Sequence, residues 1–136
     1  MTNPFTGRWS YRSFLNNPDL SVEFNALRFA KAPMEIVAAS FHEIFGKLVF
    51  DPDETNFMLL NGRCSFGNPF GIRMQGVGGS PATQGWIYNY EGFLVPAWPD
   101  GVDQRPAIVG SVIRTVRHGP DKPAGVVASF VAVKQD

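Results

Sequence analysis

Gly85-Trp86-Ile87-Tyr88-Asn89-Tyr90-Glu91-Gly92-Phe93-Leu94-Val95 switches character step by step, with Trp86, Tyr88 and Tyr90 on one face and Ile87, Asn89 and Glu91 on the other. A period of two belongs to extended backbone, whose successive side chains point to opposite sides. Residues 107–118 set Ile108, Gly110, Val112 and Arg114 against Val109, Ser111, Ile113 and Thr115. Residues 126–133 set Val126, Ala128, Phe130 and Ala132 against Val127, Ser129, Val131 and Val133. These last two segments are apolar on both faces, so they call for a cover outside as well as a core inside.

Working outward, turn signals separate the segments: Asn16-Asn17-Pro18-Asp19, Asp51-Pro52-Asp53-Glu54, Gly67-Asn68-Pro69, Gly78-Gly79-Ser80-Pro81, Trp98-Pro99-Asp100-Gly101 and His118-Gly119-Pro120-Asp121. Proline presets φ, glycine reaches positive φ, and Asn or Asp bonds its own backbone. The intervening runs predict eight strands near 7–15, 34–41, 44–50, 55–64, 69–77, 84–95, 106–118 and 124–134. In 20–30, Leu20, Phe24 and Leu27 form a helical stripe while Val22, Phe24 and Ala26 alternate, which is read as a short helix or irregular crossing. Eight sequential strands with mostly short turns predict an all-β, antiparallel, up-and-down meander closed into a barrel, because closure removes exposed edges. The single domain is expected to span 1–136. With no long helix to cover the two-sided final strands, a homo-oligomer packed through them is expected.

A chain of 136 residues that is 44% hydrophobic buries a core without disulfides or a structural metal. Twelve Lys and Arg balance twelve Asp and Glu, which leaves no net field to gather nucleic acid or anionic lipid. Nucleic acid and membrane are therefore not expected partners. The apolar runs are far shorter than the ~20 residues of a membrane-spanning helix, and the first residues do not read as a signal segment, so a soluble cytoplasmic protein is expected. Cys64 is the single cysteine and has no second thiol to pair with.

The segment Thr6-Gly7-Arg8-Trp9-Ser10-Tyr11 has the Gly-x-Trp form and resembles the first strand of calycin-type barrels, the lipocalins and avidins. Gly46-Lys47-Leu48-Val49-Phe50, Gly85-Trp86-Ile87-Tyr88 and an apolar closing strand fall where an avidin- or streptavidin-like meander would place them. The chain also has a general likeness to small uncharacterised bacterial proteins of this barrel type. The resemblance implies that Trp9 plugs one barrel end, with Arg114 or Lys134 packed across it. It does not extend to biotin: the Ser, Thr, Asn and Asp array around an avidin's ureido ring has no match here.

For ligand contacts, the richest stretch runs from Tyr88 through Trp98 to Pro106, where Tyr88, Tyr90 and Trp98 offer aromatic walls beside Arg105 and several carboxylates. The same residues also read as packing, with both tyrosines filling the barrel and Trp98 pinning a loop. Arg73 alternates with Ile72 and Met74, and Arg114 lies between Ile113 and Thr115, so one or both are candidate inward guanidiniums that must find Glu35, Glu91 or a ligand anion, the commoner alternative being an outward, solvated arginine. His42 and His118 lack a third ligand and read as exposed polar residues, without a metal. Cys64 after Arg63 reads as a small buried residue. Gly76-Val77-Gly78-Gly79 precedes no helix and reads as a flexible hairpin tip instead of a phosphate loop.

These residues assign no catalytic group and no cofactor. The leading expectation is a noncatalytic barrel binding a small apolar or amphipathic molecule through Tyr88, Tyr90 and Trp98, with Arg73 or Arg114 anchoring an anion. The alternatives are an isomerase or cyclase at the same mouth, with Tyr88, Glu91 and His42 as first suspects, and a filled barrel serving as an oligomeric interaction module.

Overall fold

The computed structural model describes residues 3–135. Eight strands, β1 (Gly7–Leu15), β2 (Arg28–Ala38), β3 (Glu43–Val49), β4 (Phe57–Phe66), β5 (Phe70–Gly78), β6 (Ile87–Val95), β7 (Ala107–Arg114) and β8 (Val127–Lys134), follow one another around a ring. Each pairs antiparallel with the next, and β8 pairs with β1, with Trp9 opposite Lys134 and Leu15 opposite Ala128, to close the barrel. Alternation puts Trp9, Tyr11 and Ser13 inside from β1, Met34 and Ile36 from β2, and Tyr88 and Tyr90 from β6, all buried. No helix among the described residues is long and apolar enough to cross a membrane.

Between β1 and β2 the short helix or irregular crossing is a four-residue 3-10 turn, Phe24–Leu27, while one expectation changes: β2 starts at Arg28, well before residue 34. Pro33 argues against a strand there because it lacks an N–H for a ladder. The structure accommodates it where the β2–β3 ladder stops, at Met34 opposite Leu48, so the residues before it pair with β1 alone. Register also shifts between Ser13 and Phe14, which face Ala30 and Arg28 and leave Phe29 as an extra residue. A bulge re-aims the side chain it inserts, and Phe29 turns toward Tyr88, with ring centroids 6.2 Å apart.

The two ends of the barrel differ. At the end where β1 begins, Trp9 is fully buried, its Nε1 donates to the Phe5 carbonyl at 3.0 Å, and Lys134 Nζ lies 5.6 Å from its ring. Lys134, and not Arg114, thus takes the place across Trp9, because β8 ends where β1 starts whereas β7 ends at the opposite mouth. Phe5, Phe66 and Phe70 add a chain of ring contacts at the plugged end.

Inside the β6–β7 pair the backbones touch at Gly110 opposite Gly92. A Cβ on Gly110 would lie 1.9 Å from the Glu91 carbonyl oxygen and 2.6 Å from the Gly92 Cα, so a side chain there requires the strands to part. Overpacking of this kind costs about 1–3 kcal/mol. Gly110→Ala is accordingly expected to lower stability by that amount in urea denaturation; an unchanged midpoint would show that the strand pair gives freely.

Candidate functional site

At the other end the strands open on a cavity of about 310 Å³, whose wall includes Tyr11, Phe29, Trp86, Tyr88, Arg114 and His118. Local structure sets each in place. Trp86 is held by the turn before β6, which is tied down and not the flexible tip its glycines suggest. Ser80 Oγ and Thr83 Oγ1 lie 2.8 Å apart, Thr83 Oγ1 donates to the Phe57 carbonyl at 2.8 Å, and the Trp86 N–H reaches the Thr83 carbonyl at 3.0 Å. Residues 115–126 fold back toward the mouth through the Gly125 N–H on the Arg114 carbonyl at 2.8 Å and the His118 N–H on the Lys122 carbonyl at 3.1 Å.

Arg114 is the central group. It ends β7 pointing inward and is only 6% exposed, because its strand parity matches that of Ile108 and Val112. Its Nε donates to the Tyr88 hydroxyl at 2.9 Å and its Nη1 to the Pro123 carbonyl at 3.2 Å. The guanidinium also lies 5.1 Å from the Phe29 ring centroid and 5.8 Å from that of Tyr88, within cation–π reach. Its Nη2 has no partner among the described residues, nor is it among the fully enclosed polar atoms.

Tyr88 links this cation to His118. Its oxygen accepts from Arg114, and 2.6 Å away lies His118 Nε2, which accepts the phenol O–H when the neutral imidazole carries its proton on Nδ1. His118 also stacks on Trp86, with centroids 4.2 Å apart and rings 23° from parallel. It is therefore half-buried site furniture and not the exposed turn residue its Gly-Pro context predicts. Burial pushes its imidazole below the usual value, a backbone hydrogen bond opposes this, and the charges of Arg114 and Lys122 reinforce it.

Deeper in, Tyr90 and Tyr11 meet edge to face at 6.0 Å, and Phe130 packs against both. Burial raises both phenols well above their usual range, so they stay protonated; the Ser13 hydroxyl weakly opposes the shift at Tyr11. Neither phenol makes a hydrogen bond of ordinary geometry to a described residue. Ser13 Oγ is the one fully enclosed side-chain polar atom without a partner, which leaves the two phenol oxygens open to the cavity they line.

The predicted site divides. Tyr88, Tyr90 and Arg114 come together at the mouth. Arg73 does not: its strand parity turns it outward, where it pairs with Glu91 at 3.1 Å with both side chains largely exposed. Trp98 does not either; it is 74% exposed in residues 96–106, which join β6 to β7 at the plugged end. Glu91 is thereby spent outside, and His42 lies at the plugged end, its Nδ1 3.3 Å from the Cys64 carbonyl. Cys64 is buried there and its thiol is pushed up by burial, the weakly bonded Asn3 amide opposing. Among the described residues no group of three His, Cys, Asp or Glu is placed to hold a metal.

Searches against family models, curated proteins and solved structures return no match to this chain.

The His118 environment has a pH signature. The folded protein binds this proton less tightly than the unfolded chain, so the stability His118 contributes is complete above the ordinary imidazole value of about 6.5 and falls as pH drops below it toward the lowered folded value. Denaturation midpoints between pH 7 and 5 are expected to fall more for the native protein than for His118→Gln; parallel curves would remove His118 as a source of acid sensitivity.

Proposed function

We propose that the protein is a noncatalytic, small-molecule-binding barrel of the calycin type, taking an apolar or amphipathic ligand into the mouth beside Tyr88, Tyr90 and Trp86. One observation carries this reading. The interior is packed at the Trp9 end, yet leaves about 310 Å³ at the other, within the size of ligand pockets and walled by aromatic rings around a few polar groups. Arg114 serves as the anchor that Arg73, on the outside, does not supply. Protein isolated from its own host is expected to carry a reproducible excess mass in native mass spectrometry. Trp86→Ala weakens retention of that cargo about 10-fold, whereas Trp98→Ala leaves it unchanged. Clean multiples of the chain mass for the native protein would overturn the reading.

A second reading, an isomerase or cyclase at the same mouth, draws on Tyr88, whose hydroxyl sits between a donor, Arg114, and a titratable imidazole, His118. That arrangement suits a group that gives and takes a proton.

We propose also that a second copy of the chain covers the outer face of the last strands. Phe93, Val109 and Val131 lie side by side across β6, β7 and β8, and Val95, Ala107 and Val133 form the next row, an apolar stripe without a charge. Val131→Asp is expected to convert the assembly to monomers in sedimentation velocity. A native protein that already sediments as a monomer refutes this.

A further inference from the structure

Arg114 poses a problem that the protein alone leaves open. A buried guanidinium without a counter-charge is costly, and no described acidic side chain lines the cavity. The ion pairs among the described residues are Lys47–Glu54, Arg63–Glu43 and Arg73–Glu91, none of them at the guanidinium. Of the acids in the loops around the mouth, Asp51 bonds Thr55 and Asn56, Asp19 bonds Ser21 and Glu54 pairs with Lys47, while Glu23, Asp53 and Asp121 make no ion pair with Arg114. Lys122, whose charge reaches His118, adds a second cation at the mouth, whereas Lys31 shares the outward face of β2 with Glu35. Two positive charges thus face an aromatic chamber whose described lining holds no negative one.

The floor has its own unfilled chemistry. Tyr90 lies two residues deeper along β6 than Tyr88, which pairs with Arg114, so it stands about 7 Å further in. There it and Tyr11 are 5% and 3% exposed and protonated; Tyr90 has no hydrogen-bond partner among the described residues, and the Ser13 hydroxyl near Tyr11 makes no hydrogen bond of ordinary geometry to it. A buried donor left unmade is costly, and an acceptor on a ligand offsets that cost.

We infer that the mouth takes an aromatic monocarboxylate carrying an oxygen at the end remote from its acid group. Arg114 Nη2 and Lys122 at the rim receive the carboxylate, the rings of Phe29 and Trp86 flank the body, and the phenols of Tyr11 and Tyr90 donate to the distal oxygen. This rests on the small-molecule reading above and names the class of ligand. A single inward guanidinium with no cluster of backbone N–H groups suits a monoanion better than a phosphate.

The test uses 6-hydroxy-2-naphthoate, its neutral amide 6-hydroxy-2-naphthamide, and 2-naphthoate, which lacks the distal hydroxyl. Each is titrated into the full chain, with Trp fluorescence and the NMR signals of His118 and Trp86 as readouts. The hydroxy acid is expected to bind about 10-fold or more tightly than either relative, since a hydrogen bond to a charged group or an unmade buried one is each worth that factor. Arg114→Gln should bring the acid down to the affinity of the amide while leaving the amide unchanged. Should that variant not fold, Lys122→Gln at the exposed rim should weaken the acid two- to fivefold and spare the amide. An amide that binds as well as the acid overturns the carboxylate, and a 2-naphthoate that binds as well as the hydroxy acid overturns the distal contact. In both cases the small-molecule barrel stands. If acid and amide alike leave the His118 and Trp86 signals unmoved at millimolar concentration, the small-molecule reading falls and the ligand class with it.

Discussion

The ladder between β1 and β8 is the constraint on which the rest depends, since it turns a meander into a ring. Once the ring is closed every strand has a neighbour on both sides, and every second side chain is committed to an interior that eight strands make just wide enough for side chains or one small ligand. Trp9 opposite Lys134 and Tyr11 opposite Ala132 show how the ladder works on packing: each large ring from β1 is met by a small or flexible neighbour on β8. The interior is consequently dense where Trp9, Phe5, Ile36 and Ile108 meet and open where Tyr88 and Arg114 end their rows.

Parity alone drives Arg114 into this interior, and the protein handles the buried charge without a carboxylate. Its partners are a phenol oxygen, a backbone carbonyl and two ring faces, which leave the guanidinium stabilised yet still able to take an anion. Each partner comes from a different device: Tyr88 from strand pairing, Phe29 from a bulge, and Pro123 from the returning loop. Shifting any one of these by a residue would leave the cation without part of its support.

The strand order, the antiparallel meander and which side chains of β6 and β7 share a face were legible in the sequence, because alternation and turn residues act over a few positions; which of those faces points inward was not, since one bulge reverses parity. Tyr88, Tyr90 and Arg114 were recognisable as candidates by residue type and position. Arg73 misled because Ile72 and Met74 flank it, and flanking apolar residues in a strand say that it faces away from them, as its outward pairing with Glu91 demonstrates. Trp98 misled through nearness in sequence to Tyr88 and Tyr90: an antiparallel strand carries the chain to the opposite end of the barrel before residue 98 is reached. Phe29 was hidden because residues 20–30 carry a helical stripe and an alternation at once, and His118 by a turn whose course over the mouth no local pattern records.

Strand existence, strand order and which side chains share a face follow from the sequence of this protein, since each is settled by neighbours one to four positions apart. That Lys134 and not Arg114 lies across the Trp9 plug, that the open end gathers cations without a carboxylate, and that Trp86, Phe29 and His118 converge on Arg114 were decided by the tertiary structure. Those relations join residues from β1 to the loop before β8, and they come into being only when ring closure and register bring distant strands to one end.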